Sequence, residues 1–296
     1  MHVNLKSIKF VKMPYTQTQQ VLSLRSSTAA QTVVDKKLCI EIGSHFYTYT
    51  ISDQSGTQII DMGCFETGKL VSTADLSSLF EIDAINSTSF VDVVLVHNCH
   101  EMVLVPSSVY QPEVNASIIQ TIHGDLENWK VMEDDVHQWE LYNVYGWRPE
   151  LINIVAERFP QVRHVQFVTG VLRSLFKSLS IEKEQLIKLY FYQKEMMVVI
   201  LKDSQLQIAQ SFQFETPQDV IYHLLNLVDR LKLDLATVIM EVSGLVDVNS
   251  ETWKELNKFF IDVQLDEFST VAVDTSAEES MPAHYYTPFL ISPRCV

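Results

Sequence analysis

The sequence predicts an α/β protein of mixed sheets, made of two βββαβ units that form two lobes. Three observations carry this. Residues 38–66 read as three strands joined by tight turns and followed by a helix, and the same order returns over 187–231. The stretches "TYTISDQSGTQIIDMGCFET" and "VVILKDSQLQIAQSFQFET" match in kind and nearly in length. Asp53 answers Asp203, and Phe65-Glu66-Thr67 answers Phe214-Glu215-Thr216, in each case just before a helix. The third observation is bulk: 296 residues, 47% hydrophobic and 20% charged, suffice for two cores.

Residues 1–36, rich in Gln, Ser and Thr, lack a lasting period and are expected to be a weakly ordered lead-in with at most one short strand or helix. Strands are predicted near 38–42, 45–52 and 57–66, with turns at Gly43 and at "SDQSG". "STADLSSLFEI" reads as a helix opened by Ser72 or Thr73, with Asp75 in its first turn. "FVDVVLV" and "MVLVP" read as strands, "PEVNASIIQTIH" as a helix, and "WKVMEDDVHQWELYNVY" as a hairpin turning at Glu133-Asp134-Asp135. "RPELINIVAERF" is a helix with Pro149 in its first turn, where a missing N–H costs nothing. The second half then gives a strand at "VRHVQFV", a helix at "VLRSLFKSLS" and strands near 187–192, 195–201 and 205–213. A helix at 217–231, a strand at 235–242, a helix near 250–260, a strand near 261–266 and a short closing helix at "PAHYYTPFLI" complete it. The expected organisation is therefore a lead-in over 1–36, a first lobe over 37–159 and a second over 160–296.

A formal charge of −15 argues against nucleic acid or an anionic membrane as partner, because phosphate recognition rests on clustered Lys and Arg. No apolar run approaches the ~20 residues that cross a bilayer. The opening "MHVNLKSIKFVKMPY" has no uninterrupted apolar stretch and reads as a poor signal peptide. Cys39, Cys64, Cys99 and Cys295 show no C-x-x-C spacing, which fits a reduced, cytoplasmic protein. The eight glycines include no G-G and no G-x-G, so Walker and dinucleotide loops are absent.

Two βββαβ halves, each opening with a hairpin, form the plan of the actin, hexokinase and Hsp70-like ATPase fold (RNase H-like), which this chain resembles. From about Leu38 it also resembles an uncharacterised Bacteroidetes family known as a domain of unknown function. That resemblance lies in "LCIEIG…YTYTISD", "MVLVPSSVY", "LQIAQSFQFETPQDVIYHLLNLVDRL" and the proline–aromatic tail running to Cys295. It implies the two-lobed architecture and no assigned activity.

The resemblance also implies three glycine turns around ATP and Mg²⁺. At the first, Glu41-Ile42-Gly43-Ser44 fits only if Glu replaces Asp, and Mg²⁺ tolerates displaced oxygens poorly. The second falls on Phe191-Tyr192-Gln193-Lys194-Glu195, which has neither Asp nor Gly. The third, Val242-Ser243-Gly244-Leu245-Val246, keeps one glycine of two. Glu41, Gly43, Ser44 and Gly244 are thus the residues that would touch a nucleotide if one binds; hairpin-end and turn roles are the expectation.

"HNCHE" collects His97, Cys99, His100 and Glu101, all suited to a borderline metal, yet strand alternation throws neighbours to opposite faces and no second pair with zinc spacing follows. A polar turn is expected there, and no metal. Trp129, Trp139, Tyr142, Tyr145 and Trp147 cluster on one hairpin; Trp139, Tyr145 and Trp147 are candidates for a protein-binding surface. The expected function is that of a non-catalytic, degenerate ATPase-fold protein serving as an intracellular adaptor or scaffold for a protein partner. At most it binds nucleotide weakly. The alternatives are an active Mg-ATPase, with Glu41 and Asp203 or Asp247 sharing the metal, and a metal-dependent enzyme at 97–101.

Overall fold

A computed structural model of the chain describes residues 18–26, 30, 32–126, 128–178, 185–266 and 281–295. The predicted opening strands are β2 (Lys36–Ile42), β3 (Phe46–Asp53) and β4 (Ile59–Glu66). Nearly every residue along them is buried because both sheet faces are covered. Part of the 1–36 stretch lies outside the described residues; its described part includes β1 (Gln19–Arg25), antiparallel to β4. With β5 (Asp92–His97) and β9 (Arg163–Gln166) these form a six-stranded sheet in the order β1-β4-β3-β2-β5-β9. The boundary read at 159/160 falls before β9, which pairs in parallel with β5, so the first sheet runs on to Gln166.

The second sheet contains β10 (Gln185–Phe191), β11 (Glu195–Lys202), β12 (Gln205–Gln213), β13 (Ile239–Gly244) and β14 (Asp262–Leu265). Its order is β12-β11-β10-β13-β14. Setting β1 aside, both sheets have one plan: an antiparallel meander followed by two strands parallel to its first. Register corrects the sequence matching. Lys36 faces Asp53 and Gln185 faces Lys202, so Lys202 rather than Asp203 answers Asp53. Glu66 lies inside β4 opposite Phe46, whereas Glu215 follows the end of β12, so the two Phe-Glu-Thr tripeptides are not equivalent.

A third sheet, in the order β6-β8-β7, joins β6 (Met102–Pro106), β7 (Lys130–Val136) and β8 (Leu141–Trp147). Its hairpin does not turn at Glu133-Asp134-Asp135. Asp134 is held inside β7, accepting the Gln166 N–H at 2.7 Å, and the chain reverses over His137–Trp139, with Glu140 left-handed at φ 55.

The described helices include α1 (Thr73–Phe80), α2 (Asp83–Asn86), α3 (Asn115–His123), α4 (Pro149–Arg158), α5 (Phe167–Ser178), α6 (Pro217–Leu231), α7 (Glu251–Phe259) and α8 (Thr287–Cys295). Ser72 with Asp75, and Thr216 with Asp219, form capping boxes that start α1 and α6. Helix α5 starts at Phe167, earlier than its apolar pattern suggests, because the Gln166 side chain accepts the Val168 N–H at 2.5 Å.

These elements stack in layers. Leu38, Ile40 and Ile42 face α1 and α4; Ile187, Leu189 and Phe191 face α6 and α7. Between the sheets lies a core that includes α5 and α8, into which Cys39, Cys64, Tyr190, Tyr192, Met197 and Val199 project. Among the described residues no helix is long and apolar enough to cross a membrane.

Candidate functional site

The hairpin tips of the two sheets meet over this central core, and their backbone hydrogen bonds repeat. Gly43 N–H donates to Phe46 O at 2.9 Å, and Tyr192 N–H to Glu195 O at 2.8 Å. Asn98 N–H donates to Ile42 O, and Leu245 N–H to Phe191 O. Tyr192 therefore stands where Gly43 stands in the first half, Tyr190 answers Glu41, and Gly244 answers His97.

Glu41 does not sit at a solvated hairpin end. It shares a face of β2 with Cys39, points into the core between the sheets, and is 1% exposed. Its Oε1 accepts from the Asn98 amide at 2.7 Å and from the Tyr192 hydroxyl at 3.0 Å. Burial pushes its pKa up to about 7, against the pull of those two hydrogen bonds. The Tyr192 ring stacks on Phe46, with centroids 4.5 Å apart and planes at 18°, and meets Phe167 and Phe289 edge-on. Gly43 is needed for that stack: a Cβ there would fall 2.1 Å from Phe46 Cε1.

This arrangement does not fit Mg-ATP. The Gly43 N–H closes its own hairpin, aromatic rings fill the space between the tips, and the Glu41 oxygen that takes both donors belongs to a half-protonated carboxyl near neutral pH. Ser44 is half-buried beside the turn, its carbonyl taken by the Val71 N–H at 2.9 Å. Gly244 has φ +89, and a Cβ would lie 2.1 Å from Phe191 O, so it is glycine for a backbone crossing. Leu245 next to it packs against the central core.

Over the Phe46–Tyr192 stack opens a small recess. His45, Glu66, Lys194 and Glu195 line it. Burial pushes Glu66 up to about 7, Lys194 pulling it back; burial also raises Glu195, whose Oε1 is buried and unpartnered.

Residues 25–282 match the family model described as protein of unknown function (DUF3822). The chain belongs to the DUF3822 family. Among solved structures it is similar to a protein of unknown function with an actin-like ATPase fold from Bacteroides thetaiotaomicron VPI-5482. Identity there is 19%, with 85% of this chain and 96% of that one covered and a TM-score of 0.68. It is also similar to the PilM-PilN type IV pilus biogenesis complex, at 11% identity, 87% and 96% coverage and a TM-score of 0.58. The ethanolamine utilization protein EutJ from Carboxydothermus hydrogenoformans follows at 9% identity, 89% and 90% coverage and 0.50. No curated protein matches. At such identities the likeness establishes the fold: this DUF3822 chain has the actin-like ATPase fold.

Several DUF3822 residues singled out in the sequence stand apart from the Glu41 cluster. Asp203 is exposed in the β11–β12 turn, at the opposite end of the β10–β11 ladder from Tyr192; at 3.3 Å per residue that is about 20 Å away, too far to share a metal with Glu41. Asp247 accepts from the Asn249 N–H at 2.6 Å. His97 is buried against Tyr145 and Trp147, its Nε2 3.1 Å from His164 Nδ1, and burial lowers the pKa of both rings. Burial raises the Cys99 thiol, and His100 pairs with Glu101 at 2.9 Å. Among the described residues no three His, Cys, Asp or Glu side chains converge to hold a metal.

The aromatic surface needs correction. Tyr145 and Trp147 are 0% and 2% exposed because both rings pack into the core beneath the first sheet, so neither faces a partner. Trp139 is half-buried, donating Nε1–H to Leu172 O at 2.8 Å and meeting the exposed Phe176 edge-on. Asn98, Phe46 and Tyr192 carried no sequence signal as a cluster. The clue was Tyr192 itself, a bulky residue at the second-half position that answers Gly43.

Proposed function

We propose that this DUF3822 chain is a non-catalytic actin-like protein that acts as an intracellular protein-interaction adaptor or scaffold and binds nucleotide weakly at most. The observation that carries the reading is the Glu41–Asn98–Tyr192 cluster, with Tyr192 stacked on Phe46 between the hairpin tips. A phosphate chain there would have to displace the rings and meet a carboxyl already engaged. Buried free thiols at Cys39, Cys64 and Cys99 fit a reducing cytoplasm. A charge of −15 favours a protein partner over nucleic acid. The likeness to PilM, solved with PilN, supports use of the same fold to hold another protein.

Thermal unfolding of the full chain with and without millimolar Mg-ATP tests the nucleotide half. A ligand at 100 times its Kd stabilises by about 2.7 kcal/mol. No shift of the melting temperature is expected; a rise of several degrees would overturn the reading in favour of an ATP-binding protein. Capture from native lysate tests the adaptor half. A stoichiometric partner weakened by Trp139→Ala is expected, and recovery of none would remove it.

A further inference from the structure

The recess over the Phe46–Tyr192 stack lies where the two sheets meet and takes one carboxyl from each. Glu66 comes from β4 and Glu195 from β11, and each is 9% exposed. Glu195 Oε1 is buried and has no hydrogen bond. An orphaned buried acceptor is costly and calls for a donor. His100, which also acts on Glu195, is engaged by Glu101 at 2.9 Å. Two carboxylates against Lys194 leave one negative charge on the walls, and the space between them admits about one water-sized group. Phe46, Cys64, Tyr192 and Leu245 make much of the lining apolar. A primary ammonium on an alkyl stem meets each of these conditions. It has that size, carries the missing charge, donates to oxygen and lays its methylenes on apolar surface.

The chain itself supplies such a group. Residues 1–17 carry Lys6, Lys9 and Lys12 and no Asp or Glu, in a chain of formal charge −15. They join the described fold at Thr18, whose hydroxyl donates to Asp75 Oδ1 at 3.1 Å, and the next residue, Gln19, pairs with Glu66 itself. The segment therefore enters β1 one strand away from the recess. Lys12 stands six residues before Thr18, a span of up to about 20 Å when extended, which brings it within reach. We propose that this segment folds back over the hairpin tips and seats a lysine ammonium, Lys12 foremost, between Glu66 and Glu195, closing the recess and tying the two sheets at a second point. Charge or place sets the other undescribed segments aside. Residues 267–280 follow Asp266, beside Val242, but carry Glu267, Asp274, Glu278 and Glu279 and no Lys or Arg. Residues 179–184 hold Lys183 between Glu182 and Glu184 and lead into β10 at its far end from Tyr192. Residues 27–29, 31 and 296 are uncharged, and residue 127 is a glutamate.

Carbodiimide coupling of the full chain, which joins an amine to a carboxyl where the two touch, tests the seat when read by peptide mass spectrometry. A link from Lys6, Lys9 or Lys12 to Glu66 or Glu195 is expected, and in a mixture of isotope-labelled and unlabelled chains it should lie within one copy. Hydrogen exchange gives a second readout. The amides of Gly43, Thr67, Tyr192 and Phe214 close the turns around the recess. In the variant Lys6→Gln/Lys9→Gln/Lys12→Gln they should exchange about fivefold faster, while the far ends of β10 and β11 stay as they were and show that the variant is folded. The absence of any link to Glu66 or Glu195 would overturn the proposal, as would links formed only between copies or exchange at the tips that the triple variant leaves unchanged. The coupling result on the unaltered chain stands whether or not the variant folds.

Discussion

Replacing Glu41 by Gln turns the cluster's protonation into a measurable stability difference. The folded pKa of Glu41 stands at about 7, against 4.5 for an ordinary glutamate. Because it is raised, the folded state holds a proton that the unfolded chain releases first. Its contribution is fully present below pH 4.5, declines as pH rises through the interval to 7, and has gone above it. Linkage puts the loss between pH 5 and pH 8 at about 2.5 kcal/mol. Gln keeps an acceptor oxygen for Asn98 and Tyr192 and has no proton to lose. Urea unfolding of wild type and Glu41→Gln at several pH values should therefore give curves that diverge as pH rises. By pH 8 the variant should gain about 2.5 kcal/mol relative to its standing at pH 5, or roughly 5–8 °C in melting temperature. Glu66 titrates in the same range but is common to both proteins, so it cancels in the difference. A difference that does not change with pH would refute the buried, proton-holding Glu41.

Two further substitutions test the frame around the site. Gly244→Ala forces a side chain into a left-handed backbone 2.1 Å from Phe191 O, and a loss of about 3 kcal/mol or more is expected by urea titration. Lys188 bridges Glu241 and Asp266, the latter at 2.6 Å, so Lys188→Met removes the cation from between two carboxylates. The expected loss is about 3 kcal/mol, read by the same titration at neutral pH.

The repeated meander was legible because a buried strand, a turn and a capped helix each leave local marks. The helix read over 217–231 starts at the residue observed, where the Thr216 cap, the fixed φ of Pro217 and the Asp219 carboxylate act within one turn. Register was less legible. Strand β12 carries an irregularity between its pairings with Ile200 and Leu201, and β4 carries one between its pairings with Ile51 and Ser52, so equal spacings along the two halves do not mark equal places. Asp203 was matched to Asp53 because each is an aspartate where the meander reverses from its second strand to its third, yet Asp53 ends β3 before a turn over 54–58 and Asp203 lies within a turn over 203–204. The hairpin in 130–147 was misplaced for another reason: Asp134 reads as a solvated tip, and only the fold supplies the Gln166 amide that holds it inside a strand. Site residues were the least legible, because the Glu41 cluster joins residues 57 and 151 positions apart. No local pattern encodes contacts of that range.

The two halves also show how one plan comes to differ at its centre. Where the first hairpin tip has Gly43, the second has Tyr192, and the two positions compensate each other. Glycine leaves room for Phe46 to swing over its own turn, and the tyrosine ring fills the opposite side of the same stack. The hydroxyl of that tyrosine then reaches the carboxyl from the other sheet. Losing any one member leaves the others worse off: without Tyr192 the buried Glu41 keeps only Asn98, and without Glu41 the phenol is a buried donor in need of a partner. Mutual dependence of this kind makes the cluster a fastening between the two sheets. A fastening is what a rigid scaffold requires at this point, whereas a cleft that admits and releases a nucleotide would need the same space open.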